Sequence, residues 1–413
     1  MEAQRPHAVC IPAPAQGHIC AMLKLAKLLH HKGFHITYVL TQLNYTHIVQ
    51  SRDFRPLNQT PTFRFETIPD GIPERETRNS AIDLTQMVLS VSKNCPAPFK
   101  ALIQKLNAAS SVDVPPVSCI VSDACMSSTT IGAAQELGIP AIMYWPFSGV
   151  GSMLHLHSPH LRDKVSINKD DYIIDWISGV KSIRVGDIPT SAWSPDPNDP
   201  LVDYIISQVS GSYKASAVIF HTFDELEPEV CNALCSMFNR AYTIGPIPML
   251  LKGFPESEIN KIECNMWKED QDCFQWLNSK TPKSVIYVNF GSMAVTSPDK
   301  LVELAIGLCK SQQNFLWFIR PELIYGDWSA ILPPEFMDAI KGDGRGYVAK
   351  IDLDLNRENV ESVVRELMEG EKGREAKQKA MFWKKRGEAA TAVGGSSFVN
   401  LDKMIGQILM SGG

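Results

Sequence analysis

The chain has 413 residues, 44% of them apolar, with ten cysteines and a formal net charge of −5. That length supports two or three domains with sizeable cores, and the mixed, mildly acidic charge excludes an extended nucleic-acid surface. No apolar run reaches the ~20 residues of a membrane span, and the polar start at Met1–Arg5 carries no signal-peptide pattern. The cysteines are scattered without a C-x-x-C pair, the usage of a reduced, cytoplasmic protein.

His7 to Ile11 is a short apolar run bounded by Pro12 and Pro14, which reads as a buried strand. Gln16 and Gly17 form the turn. A helix follows, with Ile19, Met22, Ala26 and Leu29 on one face and Lys24, Lys27 and His31 on the other, stopped at Gly33. This strand–turn–helix unit opens a parallel sheet. Phe34–Leu40 and Phe63–Ile68 are the next strands, with loop and helix over 41–51 between them, and a single helix is expected from about Asp83 to Leu106. Val117–Asp123 is another buried strand; Thr129–Leu137 is a helix closed by Gly138, and Ala141–Trp145 is a strand. Ser148–His160 reads as helical. Its His155, His157 and His160 lack i, i+4 spacing and a fixed acidic partner, so they fit a surface or pocket lining better than a metal site.

Residues 161–200 are loop-rich, the kind of segment that forms binding surface. Ala217–His221 is a strand, followed by a helix opened by Asp224 and Glu225. Tyr242–Pro248 leaves this domain, and 249–270 reads as a polar linker. A short helix, Asp272–Asn278, precedes a second strand–turn unit, Ser284–Ser292, and a helix capped by Ser297 with Pro298 at its first position. Asn314–Ile319 and Gly346–Lys350 are strands. Helix then runs from Asn356 to about Ala390, and Ser396–Met410 forms a last helix after Gly394 and Gly395. Three strands make a small sheet for a doubly wound domain, since one βαβ unit takes ~30 residues.

His18 sits at the mouth of the first turn, where strand ends and helix N-termini face the ligand crevice of open α/β sheets. It is either a polar residue satisfied at a helix start or a general base. A base needs a group to hold its tautomer, and Asp123 ends a parallel strand whose C-terminus reaches the same sheet edge. No G-x-S-x-G elbow accompanies the pair, which disfavours acyl transfer. Gln16-Gly17-His18 is not G-x-G-x-x-G, which argues against a nicotinamide dehydrogenase.

Taken together, HAVCIPAPAQGHICAMLKLAKLLHHKGFHIT, VSCIVSD, YTIGPI, DCFQWLNSKTPKSVIYVNFGSM, FLWFIRP, GRGYVAK and RENVESVVRELMEG resemble the plant UDP-sugar-dependent glycosyltransferases of small molecules, in the branch that glucosylates iridoid aglycones. The resemblance covers nearly the whole chain. It implies an α/β fold of the GT-B type, two Rossmann-like domains facing a cleft. Their expected spans are 1–245 for acceptor binding, 246–283 for a linker, 284–395 for a truncated donor-binding domain, and 396–413 for a helix packing back on the first domain. It makes His18 the catalytic base and Asp123 its partner. It assigns Gly17, Gly291 and Ser292 to the UDP-sugar donor, and Trp145 and Phe147 to the acceptor pocket. UDP-glucose is then a co-substrate, with no cofactor and no metal if backbone N–H groups receive the diphosphate. The partners are this donor and a small-molecule acceptor, and the protein is expected to be a monomer.

One departure stands out. The family carries a long signature after the strand matching Gly346–Lys350, from Trp-x-x-Gln through His-x-Gly-Trp-Asn-Ser to Asp-Gln. Here Lys350 runs directly into Ile351-Asp-Leu-Asp-Leu-Asn-Arg, the segment that follows the signature. The expectation is a foldable acceptor domain beside a weakened donor domain with exposed apolar sheet edges. Two readings follow: a transferase moving glucose to a hydroxyl of an iridoid, other terpenoid or phenolic aglycone, or a catalytically impaired splice or pseudogene-type variant that binds acceptor only.

Overall fold

In the computed structural model the described residues are 5–51, 61–72, 84–111, 114–165, 172–266, 271–289, 291, 297–318, 332–333, 336, 346–348 and 357–410. The chain forms two compact units. The first comprises Met1–Pro73, Asp83–Trp267 and Lys384–Gly413, and the second Glu74–Ile82 and Lys268–Trp383.

The first unit is built on strands β1 (His7–Ile11), β2 (His35–Thr41), β3 (Phe63–Ile68), β4 (Cys119–Asp123) and β5 (Ala141–Trp145). A small antiparallel ribbon, β6 (Ile173–Ile174) and β7 (Ile183–Arg184), precedes β8 (Ala217–Phe220) and β9 (Ala241–Thr243). The main sheet is parallel, in the order β3-β2-β1-β4-β5-β8-β9. Strands β1, β2, β4, β5 and β8 are buried on both faces, which is why most of them read as continuous apolar runs, while the edge strand β3 alternates. Val9, Val39, Ile120, Met143 and Val218 enter one core, while Ala8, Cys10, Tyr38, Val121, Ile142 and Ile219 enter the other. This period of two is the pleat of the sheet. The order reverses at β1, which pairs with β2 on one side and β4 on the other, so the sheet has its switch point there.

The helices are α1 (Gln16–His31), α2 (Gln42–Ser51), α3 (Leu84–Asn94), α4 (Pro96–Ala108), α5 (Ser127–Leu137), α6 (Gly149–Leu156), α7 (Ser158–Lys164), α8 (Pro200–Ser212), α9 (Pro228–Met237) and α10 (Ile247–Leu251). Two expected single helices are each two. Pro96 and Pro159 each stand in the first turn of a new helix, where a missing N–H costs nothing, and each ends the helix before it. Gly138 closes α5 at φ +66°, as expected.

The segment read as a polar linker is packed. Ile247, Leu250, Ile259, Ile262 and Cys264 are buried beside α1. The reason lies in α1, which buries Leu23, Leu25 and Leu28 besides its expected face and so needs cover on its second side. Lys27, expected in solvent, is buried there. Its ammonium donates to the carbonyls of Asn260 at 2.9 Å and Ile262 at 2.5 Å. The terminal helix Ser396–Met410 belongs to this unit too. Ser397 donates to the Gly245 carbonyl at 2.5 Å and Asn400 to that of Thr243 at 3.1 Å, with Leu401 and Met404 buried.

The second unit holds α11 (Gln271–Asn278), β10 (Val285–Val288), α12 (Pro298–Ser311), β11 (Asn314–Trp317), β12 (Gly346–Val348) and the helix Arg357–Glu369. A further helix, Glu371–Thr391, begins after Gly370, where the expected continuous helix breaks. The sheet among the described residues has three parallel strands, β10-β11-β12. Its core gathers Leu301, Leu304, Leu308, Phe315, Trp317 and Phe336. Ser297 takes the N-cap position of α12 with extended backbone but makes no side-chain capping bond. Strand β10 is only half-buried, and its Tyr287 is 60% exposed.

Candidate active site

Asp123 is the last residue of β4 and His18 lies in the first turn of α1, just beyond the C-terminal end of β1. Because β1 and β4 are parallel neighbours in register, Ile11 beside Ser122, both side chains arrive at the switch point of the sheet. There the His18 Nδ1 lies 2.7 Å from Asp123 Oδ2. Asp123 is wholly buried, while the His18 side chain keeps 20% of its surface exposed. The second carboxylate oxygen, Oδ1, accepts the Cys125 N–H at 2.9 Å, so the turn after β4 locks the carboxylate in place.

Nδ1 therefore carries a proton directed at the carboxylate, and in the neutral ring Nε2 offers its lone pair. Among the described residues Nε2 has no hydrogen-bond partner. Burial lowers the His18 pKa, but the charge and hydrogen bond of Asp123 outweigh it and hold it above the ordinary 6.5. Ligand atoms of His18, Asp123 and Cys125 all lie within 4.8 Å of one another. Burial and Asp123 push the Cys125 thiol well up, and both Asp123 oxygens are engaged. In this arrangement the carboxylate is held by hydrogen bonds from the His18 ring and the Cys125 N–H.

Phe147 meets His18 edge-on, ring centroids 5.4 Å apart, and Trp145 lies 5.9 Å from Phe147. The structure thus brings together His18, Asp123, Trp145 and Phe147. Trp145 is 1% exposed, and its Nε1 is buried without a hydrogen-bond partner among the described residues. Gly17, beside His18 in α1, has open space where a Cβ would stand. Gly291 belongs to the second unit and adopts φ +69°, a conformation suited to glycine. Its N–H donates to Asn289 Oδ1 at 2.8 Å, so that donor is taken in this conformation. Ser292 lies outside the described residues, as does the Lys350–Ile351 junction.

Other residues around the site were not singled out for these roles. Glu227 accepts the N–H groups of Gly149 at 2.7 Å and Val150 at 3.0 Å, fixing the start of α6 beside Phe147. The acids before α9 serve tertiary partners rather than their own helix, which starts at Pro228. Asp224 accepts from Thr243 at 2.5 Å and Glu225 from Ser396 at 2.9 Å. His155 is buried and bonded to Gly151 and Ser191, so of the three histidines it is part of the wall behind the site.

Known proteins share this arrangement of sequence and fold. The family profile described as UDP-glucoronosyl and UDP-glucosyl transferase matches residues 198–327. A 7-deoxyloganetin glucosyltransferase of Gardenia jasminoides is 41% identical over 477 residues, covering 99% of this chain and 98% of its own. An (R)-mandelonitrile beta-glucosyltransferase of Prunus dulcis is 37% identical, covering 99% and 98%. Among solved structures, a UDP-glucosyltransferase from Polygonum tinctorium, described as capable of glucosylating indoxyl, superposes with a TM-score of 0.77 at 21% identity, covering 99% of each chain. The fold is thus the GT-B fold of plant glycosyltransferases. On the identity and span of these relatives, the chain belongs to the UDP-glucoronosyl and UDP-glucosyl transferase family.

Proposed function

We propose that this protein is a UDP-glucosyltransferase acting on a hydroxyl of a small plant metabolite, with His18 as the base and Asp123 as its partner. The observation that carries the reading is the 2.7 Å contact between His18 Nδ1 and a buried carboxylate at the sheet's switch point. His18 Nε2 takes the proton of the acceptor hydroxyl. The freed oxygen attacks the anomeric carbon, the bond from that carbon to the diphosphate oxygen breaks, and UDP leaves with inversion. Asp123 holds the Nδ1 proton and stabilises the imidazolium. Phe147, half-buried beside His18, forms the acceptor wall; Trp145, expected there too, is buried and backs Phe147 instead of facing the acceptor. The Gardenia and Prunus relatives are named for an iridoid and a cyanohydrin acceptor, which favours a terpenoid or phenolic aglycone here.

The donor side carries less. We propose that a donor-binding block is absent at the Lys350–Ile351 junction. In support, the alignment with the Gardenia relative extends over 477 positions against 413 residues here, a difference of 64. Gly17, Gly291 and Ser292 then remain as donor contacts without the residues that hold uracil, ribose and sugar hydroxyls. The test is incubation with UDP-glucose and a panel of iridoid and phenolic aglycones, alongside calorimetric titration with UDP. The expected outcome is weak or no UDP heat and turnover far below that of the Gardenia relative. Comparable turnover would contradict the missing-block reading. We also propose a cytoplasmic location, from cysteines scattered without a C-x-x-C pair, and a monomeric state; a fluorescent fusion tests the first and light scattering the second.

A further inference from the structure

Phe147 is held between two imidazoles. Its ring stacks flat on His155, centroids 4.7 Å apart and planes 4° from parallel. It meets His18 at 5.4 Å with the planes at 81°. Trp145 closes the cluster, 6.3 Å from His155. His155 cannot turn without losing two hydrogen bonds. Its Nδ1 lies 2.7 Å from the Gly151 carbonyl and its Nε2 3.0 Å from the Ser191 hydroxyl. A carbonyl only accepts, so Nδ1 carries the proton; Nε2 of the neutral ring then accepts from Ser191. Burial lowers the His155 pKa, the Gly151 bond partly offsets this, and the neighbouring His18 charge lowers it further. Both ring nitrogens are thus committed within the protein, and His155 is 3% exposed. It is placed neither to take a substrate proton nor to ligate.

What it does is join two segments. His155 lies on α6, while Ser191 follows the ribbon and sits 36 residues on. We propose that His155 is a positioning residue: acting through Phe147, it sets the orientation of the His18 ring and fixes the spacing between α6 and the Ser191 segment. The geometric part stands by itself; its catalytic consequence rests on the reading of His18 as the base.

The test uses the full chain with 13C-labelled histidine rings, read by nuclear magnetic resonance. A Phe147→Leu variant identifies the ring-current imprint on the His18 signals. His155→Ala is expected to move the His18 signals towards their Phe147→Leu positions. His155→Phe keeps a flat ring against Phe147 and is expected to restore the wild-type positions. Ser191→Ala is expected to shift them in the alanine direction by a smaller amount. The buried His7 and His221 signals report whether each variant is folded. Two results overturn the proposal: His18 signals unmoved in a folded His155→Ala protein, or displaced by His155→Phe as far as by alanine. Should His155→Ala not fold, an unmoved His18 in Ser191→Ala overturns it. Transfer activity that survives His18→Ala would instead sink the base reading and leave the positioning result standing.

Discussion

His18 and Asp123 are separated by 105 residues, yet their contact follows from the positions each occupies. One begins the helix after β1 and the other ends β4, and parallel neighbours deliver such residues to one edge. That much was legible in the sequence, since both strands are apolar runs, one ending in Asp123 and the other leading through a short turn to His18. The carboxylate's effect gives a prediction with a definite sign. Asp123 raises the His18 pKa, so a base that works unprotonated loses activity on the acid side at a higher pH than free imidazole would. Asp123→Asn removes the charge, and the acid limb of the pH–rate profile is expected to move to lower pH while the maximal rate falls. His18→Ala is expected to lower the rate by about 10²- to 10⁴-fold. Steady-state rates across pH, on any acceptor that turns over, check both. The roles of Glu227 and His155 were not legible. Their partners are backbone groups and a hydroxyl brought near only by folding, and neither residue's neighbours in the chain announce them.

Among the elements, the strands were the easiest to read and α1 the most misleading. A helix with one apolar stripe is expected to expose its lysines. Here a second layer, residues 247–266, covers the other side, and Lys27 finds its carbonyls 233 and 235 residues away. No local pattern encodes a cover so distant. The burial lowers the Lys27 pKa, with Glu263 opposing, and the two carbonyls compensate the desolvated ammonium. Lys27→Met keeps the stem but orphans both acceptors. It is expected to destabilise the first unit by about 1–3 kcal/mol. Hydrogen exchange of the α1 amides under increasing urea measures it, and unchanged protection would show that this layer contributes little. The split of α3 from α4 and of α6 from α7 is a plainer lesson, since Pro96 and Pro159 were visible throughout and mark helix starts.

Over the whole molecule, the repetition of a strand–turn–helix unit near residues 7 and 285 pointed to two α/β units, and among the described residues the second sheet has three strands. The return of the terminal helix to the first unit was expected; what the sequence hid was that the segment from 246 to 267, read as a linker, belongs to that unit as well. The histidines give that unit a pH dependence. Burial pushes His7 and His221 from 6.5 down to about 4. Between those values the unfolded chain binds protons that the folded one refuses, so stability is full above 6.5 and falls as pH drops towards 4. His18 has the opposite sign, contributing most below 6.5 and losing that contribution as pH rises through its raised value. Two large shifts outweigh one, and the first unit's melting temperature is expected to fall steadily from pH 7 to pH 4. His7→Gln, neutral throughout, is expected to flatten that slope; calorimetry across pH checks it, and an unchanged slope would assign the acid sensitivity elsewhere.

The central claim is that an intact proton-abstracting half is joined to a donor half that lacks part of its machinery. A chimera tests it most directly: the block of the Gardenia relative inserted between Lys350 and Ile351, assayed with UDP-glucose and that relative's acceptor, with and without His18→Ala. The chimera is expected to form glucoside, far more than the 413-residue chain does, and none above background once His18 is alanine. A chimera that binds UDP yet forms no glucoside, or one whose activity survives His18→Ala, would contradict it.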